Sequence, residues 1–127
     1  MRGLILFAHG ARDAAWATPL QASAQRSREL LPGTVVELAF LEFMSPDLAA
    51  CGAAMAEKGC TEVDVLPLFL GAGGHVRRDL PAQVDALRLA HPGVQWTLRP
   101  AAGESPRLIE AMALVALDLH QAPTAAP

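Results

Sequence analysis

The chain has 127 residues, 52% hydrophobic and 18% charged, with a net charge of -3 at pH 7. That length buries about two-thirds of the unfolded surface, enough for one domain with a real core, and the composition excludes a disordered chain. No apolar run reaches the roughly 18–20 residues that cross a bilayer, the N-terminal run stops at His9, short of a signal-peptide core, and neither a broad basic face nor a tyrosine is present to hold nucleic acid.

The first strand is the continuous apolar run 3–8, of the kind found in a sheet covered on both faces. It ends in His9-Gly10-Ala11-Arg12. Thr18-Pro19-Leu20-Gln21 reads as helix cap, proline at the first helical position and capping-box glutamine, with a start near Ala14 also compatible. Leu20, Ala24, Ser27 and Leu31 then keep helical spacing until Pro32-Gly33. A second strand over 35–43 carries Glu37 and Glu42 and runs into Met44-Ser45-Pro46-Asp47, another cap-proline-acid start. The helix that follows uses Leu48, Gly52 and Met55 as its inner face and ends at Gly59, which suits the left-handed position after a helix. Cys51 and Cys60 lack C-x-x-C or zinc-ribbon spacing and read as reduced, packed thiols, which points to the cytoplasm.

The third strand spans 63–70, with Val63, Val65, Leu66, Leu68, Phe69 and Leu70. It breaks into Gly71-Ala72-Gly73-Gly74, where positive φ and close approach to a ligand are expected, and then presents His75 on a loop. A third helix is expected from about Asp79 through Leu80, Val84 and Leu87 to His91-Pro92-Gly93. The fourth strand, 94–98, is short. Ser105-Pro106 caps a last helix whose inner stripe is Leu108, Met112, Val115 and Leu119. From Gln121 the Ala/Pro/Thr tail is expected to be disordered. The pattern βαβαβαβα over 1–120 predicts one α/β domain, a three-layer α/β/α sandwich with a four-stranded parallel sheet, right-handed crossovers and a site along the carboxyl ends of the strands.

No G-x-G-x-x-G follows the first strand, and G-x-x-x-x-G-K-[ST] and G-x-S-x-G are absent, which argues against dinucleotide, ATP and hydrolase-elbow chemistry. His9-Gly10-x-Arg12 is shared with phosphohistidine phosphatases, but these place an arginine where this chain has Ala8. Two strand-end histidines, His9 and His75, with the carboxylate of Glu42 at a third strand end, suit a borderline divalent metal such as cobalt, iron, nickel or zinc. So few ligands would hold it loosely, which suits a metal that is handed on. His91 at a helix end and His120 near the tail need no such role. On the residues alone, a metal-transfer enzyme, a non-catalytic metal or tetrapyrrole carrier, and phosphoryl transfer through His9 remain open.

The run 66–81, with Ala8-His9-Gly10-Ala11-Arg12 and with Phe40-Leu41-Glu42-Phe43 before Ser45-Pro46, resembles the three sequence blocks of the short CbiX-type sirohydrochlorin chelatases, in order and properly spaced. The likeness covers residues 3 to about 119. It implies a chelatase-like fold in the class II chelatase superfamily and a lyase that inserts a divalent metal into sirohydrochlorin without ATP, in cobalamin or sirohaem biosynthesis. Co2+ is the expected co-substrate, with Fe2+ or Ni2+ as alternatives. It further implies a homodimer, since longer relatives carry this unit twice. By the same resemblance His9 and His75 bind the metal, His9 accepts a proton, and the segment Leu70, Gly71, Ala72, Gly73, Gly74 faces the macrocycle; Glu42, where it reaches the cleft, would offset the metal's charge and relay protons outward. Ser45 stands where many members have a substrate-facing glutamate. Arg12, Arg77 and Arg78 fall where they would anchor the substrate's carboxylate-rich rim.

Overall fold

A computed structural model describes residues 1–71 and 73–124; Ala72, residues 125–127 and the side chains of His75 and Arg77 lie outside the description. The elements are β1 (Arg2–Ala8), a 3-10 turn (Ala14–Ala17), α1 (Thr18–Leu30), β2 (Val35–Phe40), α2 (Leu48–Glu57), β3 (Glu62–Pro67), α3 (Gly74–Ala90), β4 (Gln95–Leu98), a second 3-10 turn (Ala102–Glu104) and α4 (Pro106–Gln121). The four strands form one parallel sheet in the order β2-β1-β3-β4. The expected α/β architecture is therefore present.

Strand periodicity sends Ile5, Phe7, Ala39, Val63, Val65 and Trp96 to one face, where α2 and α3 meet them with Leu48, Cys51, Met55, Leu80, Val84 and Leu87. This is the main core. Each of its large apolar side chains contributes roughly 1.5–3 kcal/mol by leaving water. The opposite face is only half clad: α1 places Ala24 over Leu6 and Val36, and Ala17 packs with Ala8 and Phe40. No residue of α4 is buried, and the expected inner stripe lies open, with Met112 43%, Val115 55% and Leu119 72% exposed. Between α1, the β3 face and the start of α4 runs a groove of about 750 Å³, lined by Leu20, Leu66, Leu68, Leu108 and Ala111 among others.

Several boundaries differ from the sequence reading for identifiable reasons. Thr18 is the first residue of α1, not its cap, because the 3-10 turn runs straight into the helix. Ser45 does not cap α2; Asp47 does, its carboxylate accepting the Ala50 N–H at 2.8 Å. β2 stops at Phe40 and β3 at Pro67, since the chain must leave the sheet to build loops at its carboxyl edge. α3 begins at Gly74, five residues before the expected Asp79. Its paired glycines and the internal Pro81 are poor helix residues, and they hide the start. Gln121, expected in the tail, closes α4, and Gly59 takes φ +91 just past α2 as expected.

Burial pushes the Cys51 thiol up to about 11 from an ordinary 9.0, with the Glu37 carboxylate adding to it. The unfolded chain loses this proton first as pH rises, so the folded state has its full advantage below pH 9 and loses it between pH 9 and 11. With no tyrosine and Lys58 as the single lysine, few other side chains titrate in that window. Denaturant titrations of the wild-type protein are expected to show stability falling by on the order of 2 kcal/mol across it, and Cys51→Ala is expected to flatten the fall.

Candidate functional site at the carboxyl edge of the sheet

The strand order reverses at β1: the chain leaves β1 for β2 on one side and returns to β3 on the other. The crevice at the carboxyl ends of β1 and β3 is therefore the switch point where ligands of open α/β sheets bind. His9 is the residue after β1. Across the crevice the β3 exit is tied on by the Leu68 N–H, which donates to the Phe7 carbonyl at 2.8 Å. The next residue, Phe69, is 6% exposed and sets its ring against His9, centroids 5.4 Å apart at 62°, with Phe7 behind it at 6.0 Å. An aromatic floor thus orients an exposed imidazole.

From the other side, the Leu41 N–H donates to the Ala8 carbonyl at 2.9 Å and the Glu42 N–H to the His9 carbonyl at 3.1 Å. Glu42 and His9 become backbone neighbours by this pairing. Gly10 makes it possible: its φ is +95, and a Cβ there would run into the Glu42 carbonyl. His9, Glu42, Asp79, Val76 and Leu80 line one cleft of about 210 Å³. On its other flank His9 borders a depression of about 240 Å³ with Trp16, Leu68, Leu70 and Gly71. Asp79 is a carboxylate the sequence reading passed over as a helix start. Its signal was the i, i+4 spacing from His75, visible only once α3 is known to begin at Gly74.

The Glu42 carbonyl accepts the Met44 N–H at 2.8 Å, closing a three-residue turn on Phe43, whose φ is +65. This is the strained form of γ-turn, and for a residue with a Cβ it costs about 1–2 kcal/mol. Phe43 is 56% exposed, and the Arg12 guanidinium carbon sits 4.6 Å from its ring centroid. Ser45 follows, exposed and free of any capping duty.

His75 lies in the first turn of α3, a correction to the loop expected from the glycines, and Ala72 and the side chains of His75 and Arg77 are outside the described residues. Arg78 turns back on its own helix, its Nε donating to the Gly74 carbonyl at 3.2 Å. Gly71, Gly73 and Gly74 do not take the expected positive φ, and among the described residues a Cβ on any of them would meet nothing within 4 Å. Among the described residues no packing contact requires glycine there. Gly103 is the reverse case: its N–H donates to the Phe69 carbonyl at 2.9 Å and a Cβ would strike the Leu70 carbonyl. The second 3-10 turn thus clamps the segment that carries Leu70, 68% exposed, and Gly71. Among the described residues no group of three or more His, Cys, Asp or Glu side chains closes into a metal-binding set.

The sequence profile of the CbiX family matches residues 3–116. The chain belongs to the CbiX family. Its sequence is similar to the sirohydrochlorin cobaltochelatase of Sulfurisphaera tokodaii, 28% identical over 110 residues that make up 87% of each chain. It is 26% identical over 110 residues to the sirohydrochlorin ferrochelatase of Priestia megaterium, of which it spans only 41%. The fold matches the crystal structure of a cobalamin (vitamin B12) biosynthesis CbiX protein from Marinobacter aquaeolei VT8, with TM-score 0.83, 32% identity, and coverage of 96% of this chain and 100% of that one. Within this CbiX chain, the three sequence blocks that carry the family likeness are the three segments that converge on the crevice.

The glycine geometry separates two classes of substitution. Gly10→Ala is expected to lower stability by about 2 kcal/mol or more, since it combines positive φ with a backbone clash, and Gly103→Ala to do likewise. Gly71→Ala is expected to change stability by less than about 0.5 kcal/mol. Thermal denaturation of the three variants checks this.

Proposed function

We propose that this protein is a chelatase that inserts a divalent metal into sirohydrochlorin without ATP, a lyase reaction with Co2+ as the preferred metal substrate and Fe2+ as the alternative. The observation that carries the reading is the meeting of the His9 segment, Glu42 and the His75-bearing turn of α3 at one switch-point crevice, in a CbiX chain whose relatives are named as sirohydrochlorin cobaltochelatase and ferrochelatase. In this reading His9 and His75 hold the incoming ion, His9 and Glu42 take the displaced protons, and Ser45, Arg12, Arg77 and the 70–74 segment face the macrocycle. Glycines that no packing contact among the described residues requires support the last point, because a flat ligand pressed on that segment leaves no room for side chains.

The chemistry balances at such a site. A dication enters the ring as two pyrrole protons leave it, so the charge on the macrocycle is unchanged and the protein must only exchange one kind of cation for the other. An imidazole nitrogen cannot bind metal and proton at once. As the ion passes from His9 to the ring nitrogens, the freed lone pair becomes the base, and Glu42, whose N–H is bonded to the His9 carbonyl, stands next in line to carry the proton outward. Both side chains are exposed, which gives the protons an exit to solvent.

We further propose that residues 1–120 act as a homodimer in the cytoplasm. The open stripe of α4 and the 41% span of the Priestia relative support a second copy as the missing cover for the half-clad sheet face. The free, buried Cys51 and Cys60 support a reducing compartment. Among the described residues no helix is long and apolar enough to cross a membrane.

Anaerobic absorbance assays with sirohydrochlorin and cobalt, iron or nickel, without nucleotide, test the activity against the uncatalysed rate. Acceleration is expected with cobalt, lost by roughly 100-fold or more in His9→Ala and in His75→Ala with thermal stability retained. Binding without turnover would overturn the chelatase reading. Val115→Glu in α4 is expected to convert a dimer into a folded monomer by sedimentation analysis; a monomeric wild-type protein would refute the dimer alone.

A further inference from the structure

Phe43 is the one described non-glycine residue with positive φ, and no burial or hydrogen bond of its side chain among the described residues offsets it. The turn it occupies is one that glycine or asparagine adopts at less cost, and its ring is more than half exposed, so core burial does not offset the strain. Strained backbone of this kind persists at ligand contacts. Its position agrees, since Phe43 directly follows Glu42 at the mouth of the His9 cleft.

Arg12 gives the second half of the argument. Its guanidinium carbon lies 4.6 Å from the Phe43 ring centroid, and among the described residues it has no hydrogen-bond or ion-pair partner. The guanidinium lies over the ring, and among the described residues none of its N–H groups is taken by a hydrogen-bond or ion-pair partner, so they are open to a carboxylate in two parallel hydrogen bonds. An exposed aromatic surface beside an oriented guanidinium fits a flat conjugated ligand with acids on its rim.

We propose that Phe43 is a substrate-contacting residue: its ring is a wall for the tetrapyrrole beside the His9 cleft and holds the Arg12 guanidinium in place to pair with a rim carboxylate. This rests on the chelatase reading above and gives a role to Phe43, which falls within one of the sequence blocks but carries no assigned function there. The strained turn points the ring outward, and relieving the strain with glycine removes the contact.

The test is Phe43→Gly, with Phe43→Tyr as the conservative variant. Metal-free sirohydrochlorin is titrated into each protein by absorbance at low and high salt, alongside thermal denaturation, sedimentation and steady-state kinetics with cobalt. Phe43→Gly is expected to be at least as stable as wild type, to bind sirohydrochlorin about 10-fold more weakly with KM rising more than kcat falls, and to lose part of the salt dependence of binding. Phe43→Tyr is expected to bind within about two-fold of wild type. Arg12→Gln is expected to weaken binding similarly, with the double variant little worse than either single change. Wild-type affinity in Phe43→Gly, with wild-type turnover intact, would overturn this proposal and leave the chelatase reading standing. So would a changed dimer content with unchanged affinity, which would assign the ring to the subunit contact. A wild-type protein that neither binds sirohydrochlorin nor turns it over would overturn both.

Discussion

At the end of β1, the carbonyls of Phe7, Ala8 and His9 accept N–H groups from residues just past the neighbouring strands, Leu68 on one side and Leu41 and Glu42 on the other. This continuation of sheet pairing past the regular strands is what the site depends on. It carries three separate stretches of sequence to within side-chain reach of one imidazole, and it does so with backbone bonds that leave the side chains free. In a parallel sheet an inner strand such as β1 has neighbours on both edges, so two loops can be fastened at its carboxyl end. His9 occupies that end.

Glycines divide the labour between fold and ligand. Gly10 and Gly103 are demanded from within: one takes positive φ against the Glu42 carbonyl, the other lies where a Cβ would strike the Leu70 carbonyl. Each holds a loop by permitting a close backbone approach. Gly71, Gly73 and Gly74 meet no such demand among the described residues; Gly73 is the N-cap of α3, and Gly74 opens the helix without favouring it. In the proposed reaction their small size leaves room for the macrocycle. Phe43 is the counterpart, a large residue kept in a conformation suited to small ones.

Much of the architecture was legible because period and punctuation agree. The apolar run of β1, the buried Leu48, Gly52 and Met55 of α2, and Gly59 past its end were all written in residue type and spacing. The misreadings arise where one residue serves two signals. Ser45 before a proline looks like a cap, yet the carboxylate of Asp47, two residues on, reaches the Ala50 N–H. Gly73-Gly74 looks like loop, yet the α3 ladder begins there, which moves position 75 from a free segment to a helical turn in phase with Asp79. Of the candidate site, His9 and Glu42 follow the ends of β1 and β2 as the sequence suggests, whereas His75 belongs to the first turn of α3. The Phe69 ring under His9, the Gly103 clamp and the turn at Phe43 were not legible, because each depends on contacts between residues far apart in sequence.

The chain solves one face of its sheet completely and leaves the other half done. Between β3 and α4 the leucines of both line a groove that no local segment fills, while the helix that would complete the layer shows its own apolar stripe to solvent. An exposed apolar stripe of this kind is a liability for an isolated domain, since it favours aggregation as readily as specific association. It is economical for a unit that pairs with itself, because each copy brings both the helix and the groove, and a two-fold arrangement uses every such surface twice. The same logic bears on the crevice. An ion delivered to a site with few ligands, open to solvent on one side, must be held in orientation by something large, and in the proposed reaction that part falls to the macrocycle, the partner protomer, or both. A loosely held ion is then an advantage, since the ring nitrogens must win it from the protein within each turnover.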